Sequence, residues 1–159
     1  MTHAAKEMKG EVVDCAGDRV MAVFWLPFGN RSITPIHNAI LCAFWMQTIV
    51  SRALNPVLQN LSLPSLGCGI GIDYGTVVVA RVGIRNRNKM VFLGDAANWA
   101  AMLESYAEIG QTVLSNYVYK NRPQYMTPSH SWIFHPWPEH QNPLYYASGC
   151  VFSNDFPPK

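Results

Sequence analysis

Short apolar runs separated by a glycine turn and a polar loop are clearest between Gly67 and Glu104, and the rest of the chain is organised around this stretch. It predicts, in order, a strand, a second strand, a polar loop, a short third strand and a helix: Gly69–Tyr74, Thr76–Val82, Ile84–Lys89, Met90–Leu93 and Ala96–Glu108. Gly75 permits the positive φ of a tight turn, which predicts a hairpin between the first two strands. The second strand is rich in valine and is expected to pack on at least one face. Asp95 is placed to cap the helix.

A second hairpin and a helix are predicted before this stretch. The hairpin joins Glu11–Ala16 to Arg19–Trp25, with Gly17 and Asp18 at its tip. Thr34 is a candidate N-cap, followed by proline at the first helical position. Apolar residues then follow the helical period, and the helix is expected to end before Asn55 and Pro56, with a loop over residues 55–66.

The C-terminal third continues the mixed pattern. It predicts a short strand, a short helix or turn, an irregular loop and a last strand: Gln111–Ser115, Asn116–Lys120, residues 123–143 and residues 144–152. The helix before them has small residues on its apolar side: Ala97, Ala100 and Ala101, together with Leu103. This order predicts one α+β domain over residues 1–159, in which helices cover a mainly antiparallel sheet.

Composition and charge narrow the class of protein. The chain has 159 residues, of which 49% are hydrophobic and 14% charged, as expected for one globular domain. A net charge of +2 without a dense basic run argues against nucleic acid as a partner. The four cysteines have no metal-ligand spacing, and three lie in apolar runs, which indicates reduced thiols and a cytoplasmic protein. No apolar tract reaches the roughly 20 residues of a membrane span, so no membrane partner is expected.

Two segments together resemble the catalytic domain of class III nucleotidyl cyclases. They are GDRVMAVF at Gly17–Phe24, and GIGIDYGTVVVARVG followed by FLGDAANWAAMLE. The resemblance covers about residues 11–115 and implies a ferredoxin-like, mainly antiparallel sheet covered by helices. The forms GIDYGTVVVARVGIRNRN and AANWAAML look more like the pyrimidine cyclases of bacterial Pycsar anti-phage systems. That resemblance implies cyclisation of UTP or CTP to a 3′,5′-cyclic nucleotide that activates a downstream effector.

The family's two-metal chemistry maps in part onto this chain. Two Mg²⁺ or Mn²⁺ ions neutralise charge on the phosphates and are held by two carboxylates on neighbouring strands. Asp18 matches one carboxylate, and the alternative is that it serves only the turn. The other carboxylate belongs to a first strand that precedes the hairpin, and no matching segment is present. The resemblance therefore implies a domain without its first strand, either as a fragment or as a natural truncation.

The residues that would handle the ribose and the phosphates are also only partly matched. Asn98 matches the family's ribose-orienting asparagine, although a first-turn asparagine can also serve the helix backbone alone. One turn further on, Met102 stands where the family has an arginine or lysine that reaches the α-phosphate. Candidate replacements lie in the predicted second strand and in the polar loop that follows it: Arg81, Arg85, Arg87 and Lys89. We take Arg81 as the catalytic candidate and Arg85 as a substrate-binding one, and a solvated surface is the alternative.

In the family, two residues select the base of the nucleotide, and the matching positions in this chain are Asp14 and Val91. Cys15, next to Asp14, is a further candidate for binding the substrate. Asp14 cannot donate to adenine N1, and Val91 cannot accept from an exocyclic amine, so adenine is disfavoured. A carboxylate can accept from cytosine N4 or from guanine N1 and N2. The sequence does not decide between uracil and cytosine, and Asp14 can also be an exposed strand residue without a substrate role.

Two functional hypotheses follow from the resemblance. In the first, the chain is a pyrimidine nucleotide cyclase that works as a homodimer, with Asp18 of one copy facing Asn98 of the partner subunit. In the second, it is a catalytically degenerate cyclase-homology domain that binds nucleotide or regulates a partner. The intact Gly17, Asp18 and Asn98 favour the first hypothesis, whereas Met102 and the unmatched first carboxylate favour the second. A purine cyclase is disfavoured by Asp14 and Val91.

Overall fold

The computed structural model describes residues 2–26, 34–84, 87–123, 132–135 and 144–148, and shows an α+β fold. The helices are α1 (Thr2–Glu7), α2 (Thr34–Thr48), α3 (Asn55–Asn60), α4 (Asp95–Tyr106) and α5 (Asn116–Lys120), and a π-helical segment, Ile49–Leu54, joins α2 to α3. The strands are β1 (Glu11–Ala16), β2 (Arg19–Val23), β3 (Ile70–Ile72), β4 (Val78–Ile84), β5 (Arg87–Leu93), β6 (Gln111–Ser115), β7 (Ile133–His135) and β8 (Leu144–Ser148). The mixed architecture predicted from the sequence is confirmed.

The described strands form three sheets. The largest has the order β3-β6-β8-β7, in which β3 runs parallel to β6 and the other pairs are antiparallel. The predicted hairpin of β1 and β2 is confirmed, with a bulge between Val12 and Asp14. Gly17 at its tip has a φ of 65°, a conformation that favours glycine.

The predicted hairpin between Gly69–Tyr74 and Thr76–Val82 is wrong. Strand β3 pairs with β6, and β4 pairs with β5 from Val78 opposite Leu93 to Ile84 opposite Arg87. Gly75 instead allows a close approach to α4, since a Cβ at this position would lie 3.2 Å from the Cβ of Ala96. The expected polar loop is largely strand, because residues 87–89 sit on an exposed ribbon where polar side chains stay in water.

Helix α2 ends at Thr48, before Asn55 and Pro56 as predicted, but helical backbone continues through the π segment and α3 to Asn60, so the expected loop over residues 55–66 is wrong in its first half. The π segment carries the helix onward, with the amide of Asn55 donating to the carbonyl of Val50. Pro56 then occupies the first turn of α3, where a missing N–H is tolerated. The Ser51 hydroxyl also donates to the carbonyl of Gln47, a contact that helps to bend a helix.

Helix α4 begins one residue earlier than predicted, and Asp95 is its first residue rather than its cap. Gly94, with a φ of 152°, occupies the cap position. The buried residues of α4 are Ala96 and Leu103, and Ala101 is exposed, so the predicted stripe of small residues is only partly correct. The contact with β3 is nevertheless very close: a Cβ at Gly71 would lie 2.3 Å from the carbonyl oxygen of Ala100 and from the amide nitrogen of Glu104.

Helix α2 supplies most of the core, through both of its sides. One side, centred on Ile40 and Phe44, packs on β3, β6 and α5 through Ile72, Leu114 and Val118. The other side packs on α1, a helix that the sequence pattern did not predict, through Ala4 and Ala5 together with Cys42, Trp45 and Met46. The part of β1 and β2 away from the tip covers this second cluster with Val12, Ala22 and Phe24.

The C-terminal elements agree with the sequence in part. Strand β6 and helix α5 are confirmed, whereas β7 lies within the range 123–143 that was expected to be loop. Strand β8 confirms the start of the last predicted strand, and residues 149–152 lie outside the described part of the chain. No helix among the described residues combines the length and hydropathy that crossing a bilayer would need.

Candidate active site

The tip of the β1–β2 hairpin lies against helix α4. Arg19, the first residue after the tip, places its Nε 3.3 Å from Oε2 of Glu104. Asp18 is exposed at this tip, directly before Arg19. The ion pair therefore holds the hairpin that carries Asp18 near the C-terminal part of α4, whereas Asn98 lies in the first turn of that helix.

A second ion pair joins the same hairpin to β5. Oδ1 of Asp14 lies 2.5 Å from Nζ of Lys89. The hydrogen bond from Lys89 is the largest cause that lowers the pKa of Asp14, and its positive charge and a hydrogen bond from the Cys15 amide act in the same direction. Desolvation of the carboxylate, the second-largest influence on this pKa, opposes them. Asp14 is thus held in its ionised form, in which it can only accept hydrogen bonds.

The alternation of β5 places Lys89 and Val91 on one face of the β4–β5 hairpin. Since Asp14 contacts Lys89, the two residues predicted to select the base, Asp14 and Val91, approach the same face. Cys15 follows Asp14 directly on β1, so its side chain points to the opposite side of that strand. Cys15 remains a prediction as a substrate contact.

The predicted cations are distributed over different surfaces. Arg81 pairs with Met90 across the hairpin, on the face opposite Lys89 and Val91. Arg81 and Arg87 are exposed, and Arg85 lies outside the described residues. Within one chain, Arg81 therefore does not join Asp14 and Val91 on a common face, although its exposed position leaves it open to a second copy.

Asn98 and Met102 lie one turn apart on α4 in different surroundings. The Asn98 side chain is exposed in the first turn, and the backbone amide of this residue donates to the carbonyl of Gly94 at 3.3 Å. Met102 is half-buried and packs with Trp99 against the cluster of Leu103 and Val113. The methionine is thus part of the contact between α4 and the sheet, and the phosphate-binding cation expected from the family is replaced by an apolar packing residue.

The described residues contain no preformed cage for a metal ion. They hold no group of three or more histidine, cysteine, aspartate or glutamate side chains close enough to ligate one. The nearby Glu104 is engaged with Arg19. An exposed single carboxylate such as Asp18 fits a divalent cation that arrives with a triphosphate, because Mg²⁺ commonly combines one or two carboxylates with substrate phosphate oxygens.

Comparison with known proteins decides the family. Residues 1–130 match the model of the adenylate and guanylate cyclase catalytic domain. The chain belongs to this family. A uridylate cyclase from Burkholderia cepacia is 36% identical over 100 residues, covering 62% of this chain and 41% of that protein. A uridylate cyclase from Xanthomonas perforans is 32% identical over 111 residues, covering 70% of this chain and 46% of that protein. The chain thus spans less than half the length of these relatives.

Solved structures show the same cyclase fold. The guanylyl cyclase Cya2 superposes with a TM-score of 0.75 at 23% identity, covering 96% of this chain and 76% of that one. The adenylyl cyclase CyaB from P. aeruginosa superposes with a TM-score of 0.69 at 17% identity, covering 92% of this chain and 74% of that one. The resemblance found in the sequence motifs is therefore confirmed for both family and fold.

Two residues that contact the candidate site residues or their hairpin, Glu104 and Lys89, cannot be identified from the sequence pattern alone. Glu104 ends the segment FLGDAANWAAMLE, but its contact with Arg19 depends on where the β1–β2 hairpin lies relative to α4. Lys89 was grouped with the loop cations, although its spacing of two residues from Val91 would have placed both on one strand face. The signal was present, but it could be read only once β5 was known to begin at Arg87.

Proposed function

We propose that this domain is a nucleotidyl cyclase that converts UTP or CTP to the 3′,5′-cyclic monophosphate and pyrophosphate. The observation that carries the proposal is the match of residues 1–130 to the adenylate and guanylate cyclase catalytic domain, within which Asp18 and Asn98 are both exposed and so open to a second copy. The names of the relatives from Burkholderia cepacia and Xanthomonas perforans support a pyrimidine substrate. Asp14 and Val91 approach one face of β5, as expected of residues that contact a base.

The reaction balances within the nucleotide. The ribose 3′-oxygen forms a bond to the α-phosphorus, and the bond from that phosphorus to the oxygen bridging to the β-phosphate breaks. Pyrophosphate leaves with the electron pair, and the proton of the 3′-hydroxyl passes to solvent. In this proposal Asn98 orients the ribose through its amide, and Arg81 donates hydrogen bonds to the phosphate oxygens, where positive charge stabilises the developing negative charge.

Asp18 would hold Mg²⁺ or Mn²⁺ together with the triphosphate. When bound, such an ion supplies charge neutralisation at the phosphoryl and pyrophosphate oxygens. The exposed position of Asp18 at a tight turn keeps its carboxylate free of a large desolvation penalty. Substrate and ion would then occupy the tip of the hairpin together.

A homodimer is part of the proposal, with Asp18 of one copy facing Asn98 of the partner subunit. The β4–β5 hairpin exposes apolar side chains on both of its faces: Val78, Val79, Val82, Ile84, Met90 and Leu93. The exposed fraction reaches 73% for Ile84. A valine-rich ribbon of this kind is expected to be covered, and a second copy would cover it while bringing Arg81 to a shared site.

The proposed product is a second messenger. Its role would be to activate a downstream cyclic-nucleotide effector in anti-phage defence, as the sequence resemblance implies, and the pattern of the cysteines favours the cytoplasm. Production of a cyclic pyrimidine nucleotide by this domain is the property on which such a role depends.

Incubation with UTP, CTP, ATP and GTP, each with Mn²⁺ or Mg²⁺, tests the proposal. We expect a cyclic pyrimidine product and an equal amount of pyrophosphate, detected by chromatography and mass spectrometry. Asp18→Ala should abolish the product, and Glu7→Ala, which alters an exposed carboxylate of α1, should leave it unchanged. A product from ATP or GTP alone would overturn the pyrimidine assignment.

Met102 favours one alternative, a catalytically degenerate domain that binds nucleotide or regulates a partner. Its side chain lies in the α4 contact, where a phosphate-binding cation is expected. Binding of UTP without turnover would support this alternative, and turnover that depends on Asp18 would exclude it.

A further inference from the structure

We propose that Lys89 acts with Asp14 as a hydrogen-bonding pair that reads the edge of uracil, so that UTP is preferred over CTP. This inference rests on the proposed function, because it requires the base to lie against the face of β5 that carries Val91. The family motif alone gives Lys89 no role in base selection. Its contact with Asp14 across two sheets is the observation that suggests one.

Asp14 and Lys89 can form hydrogen bonds to a ligand while they remain in contact with each other. An ammonium group has three donors, and an ionised carboxylate has about four lone-pair sites. One contact between Asp14 and Lys89 therefore leaves donors on Lys89 and acceptor positions on Asp14. Both side chains are partly exposed, at 30% for Asp14 and 61% for Lys89, so a nucleotide can reach them from solvent.

The chemistry of the base edges favours uracil. Uracil presents one donor, N3–H, between two acceptors, O2 and O4. Asp14 can accept from N3–H while Lys89 donates to either neighbouring oxygen, so the match does not depend on which side of Asp14 the ammonium lies. Cytosine has its donor, N4, at one end of this edge, so it pairs with both residues only if the Lys89 ammonium lies on one particular side of the Asp14 carboxylate. Adenine and guanine are restricted in the same way.

Val91 completes the arrangement without competing for hydrogen bonds. It lies two residues from Lys89 on the same strand face and can offer the base only apolar contact. The polar selection is then left to Asp14 and Lys89. A pocket that hydrogen-bonds a particular edge discriminates more strongly than an apolar one, because a mismatched base leaves its polar groups unpaired.

The experiment compares UTP with CTP in wild type, Lys89→Met, Lys89→Arg and Lys120→Met. Methionine keeps the length of the side chain and removes the donor, arginine keeps a donor, and Lys120 is an exposed residue at the end of α5. The readouts are the ratio of kcat/KM for the two nucleotides and the ratio of their affinities, measured by calorimetry with Ca²⁺ in place of Mn²⁺. Thermal unfolding confirms that each variant is folded.

We expect wild type to prefer UTP, and Lys89→Met to reduce that preference by about 10- to 100-fold, the effect of losing one hydrogen bond to a bound base. Lys89→Arg should retain most of the preference, and Lys120→Met all of it. A wild type without a preference for UTP, or a Lys89→Met variant with an unchanged ratio, overturns the inference. If no nucleotide is turned over but UTP still binds preferentially through Lys89, the proposed function fails and the inference stands.

Discussion

Arg19 and Glu104 join the β1–β2 hairpin to helix α4. Nε of Arg19, next to the tip of the hairpin, lies 3.3 Å from Oε2 of Glu104. Among the described strands, β1 and β2 pair only with each other. Side-chain contacts therefore set the position of this hairpin: apolar packing on α1 and α2, the pair of Asp14 with Lys89, and this ion pair next to Asp18.

Neutralising either member of this pair is expected to lower activity with little effect on folding. Surface ion pairs contribute at most about 1 kcal/mol, which corresponds to a roughly fivefold loss for Arg19→Gln or Glu104→Gln. Since the pair positions Asp18, the loss should appear in the concentration of Mn²⁺ needed for half-maximal rate. The ratio of UTP to CTP turnover, which depends on Asp14 and Lys89, should not change.

The reversed pair, Arg19→Glu with Glu104→Arg, is the matched control. It restores the attraction with the charges exchanged and should recover most of the lost activity. A reversed pair as poor as the single variants would show that Arg19 acts on the phosphates rather than on the hairpin.

Gly71→Ala should separate α4 from β3. The added Cβ would lie 2.3 Å from two backbone atoms of the helix, at Ala100 and Glu104, and a backbone cannot move aside as a flexible side chain can. Overpacking of this kind commonly reduces the free energy of unfolding by about 1–3 kcal/mol. Denaturant unfolding measures the loss of stability. Activity should fall even where the variant remains folded, because α4 carries Asn98.

Gly17→Asn is the comparison for this variant. Position 17 has open space around it and a φ of 65°, which asparagine tolerates better than other side chains. We expect a loss below about 1 kcal/mol at this turn. Equal losses at the two positions would contradict the close packing of α4 on β3.

The sequence was sufficient for the elements whose signals are local. The β1–β2 hairpin was predicted because Gly17 and Asp18 separate two apolar runs, and α4 because helical periodicity follows Gly94. The pairing of β3 with β6 could not be predicted in this way, because Ile70 and Thr112 are joined by tertiary packing and not by a turn. The end of the helical run was misjudged for a related reason: proline breaks the interior of a helix, but Pro56 lies in the first turn of α3, where its missing N–H is tolerated.

The candidate site shows the same division between local and tertiary signals. Asp18 and Asn98 could be chosen by motif, because each lies within a short recognisable segment, and Asp14 could be chosen by its position three residues before Gly17. Met102 could be identified as a departure from the motif, but its packing against Leu103 and Val113 depends on how α4 meets the sheet. Lys89 and Glu104 needed the positions of separate elements relative to one another.

A shared dimeric site predicts that two inactive variants complement each other. Asp18→Ala and Asn98→Ala each alter an exposed side chain and should fold normally. Mixed in equal amounts, they should recover about a quarter of wild-type activity, since half of the randomly formed dimers are mixed and each of these has one intact site. Mixing Asp18→Ala with Asp18→Asn is the control and should remain inactive. No recovery in the first mixture would place Asp18 and Asn98 in the site of a single chain.

Alkylation of the cysteines should follow their burial and should test Cys15 as a substrate contact. Burial raises the pKa of Cys42 to about 11 and also raises that of Cys68. The thiolate is the reactive form, so at pH 8 about one Cys42 in a thousand is ionised and reaction is slow. Cys15 is exposed and should be modified first by iodoacetamide, as measured by peptide mass spectrometry in a Cys150→Ser background. UTP with Ca²⁺ should slow this modification if Cys15 lies at the nucleotide, whereas an unchanged rate in saturating UTP would remove Cys15 from the site while leaving Asp14 and Lys89 in it.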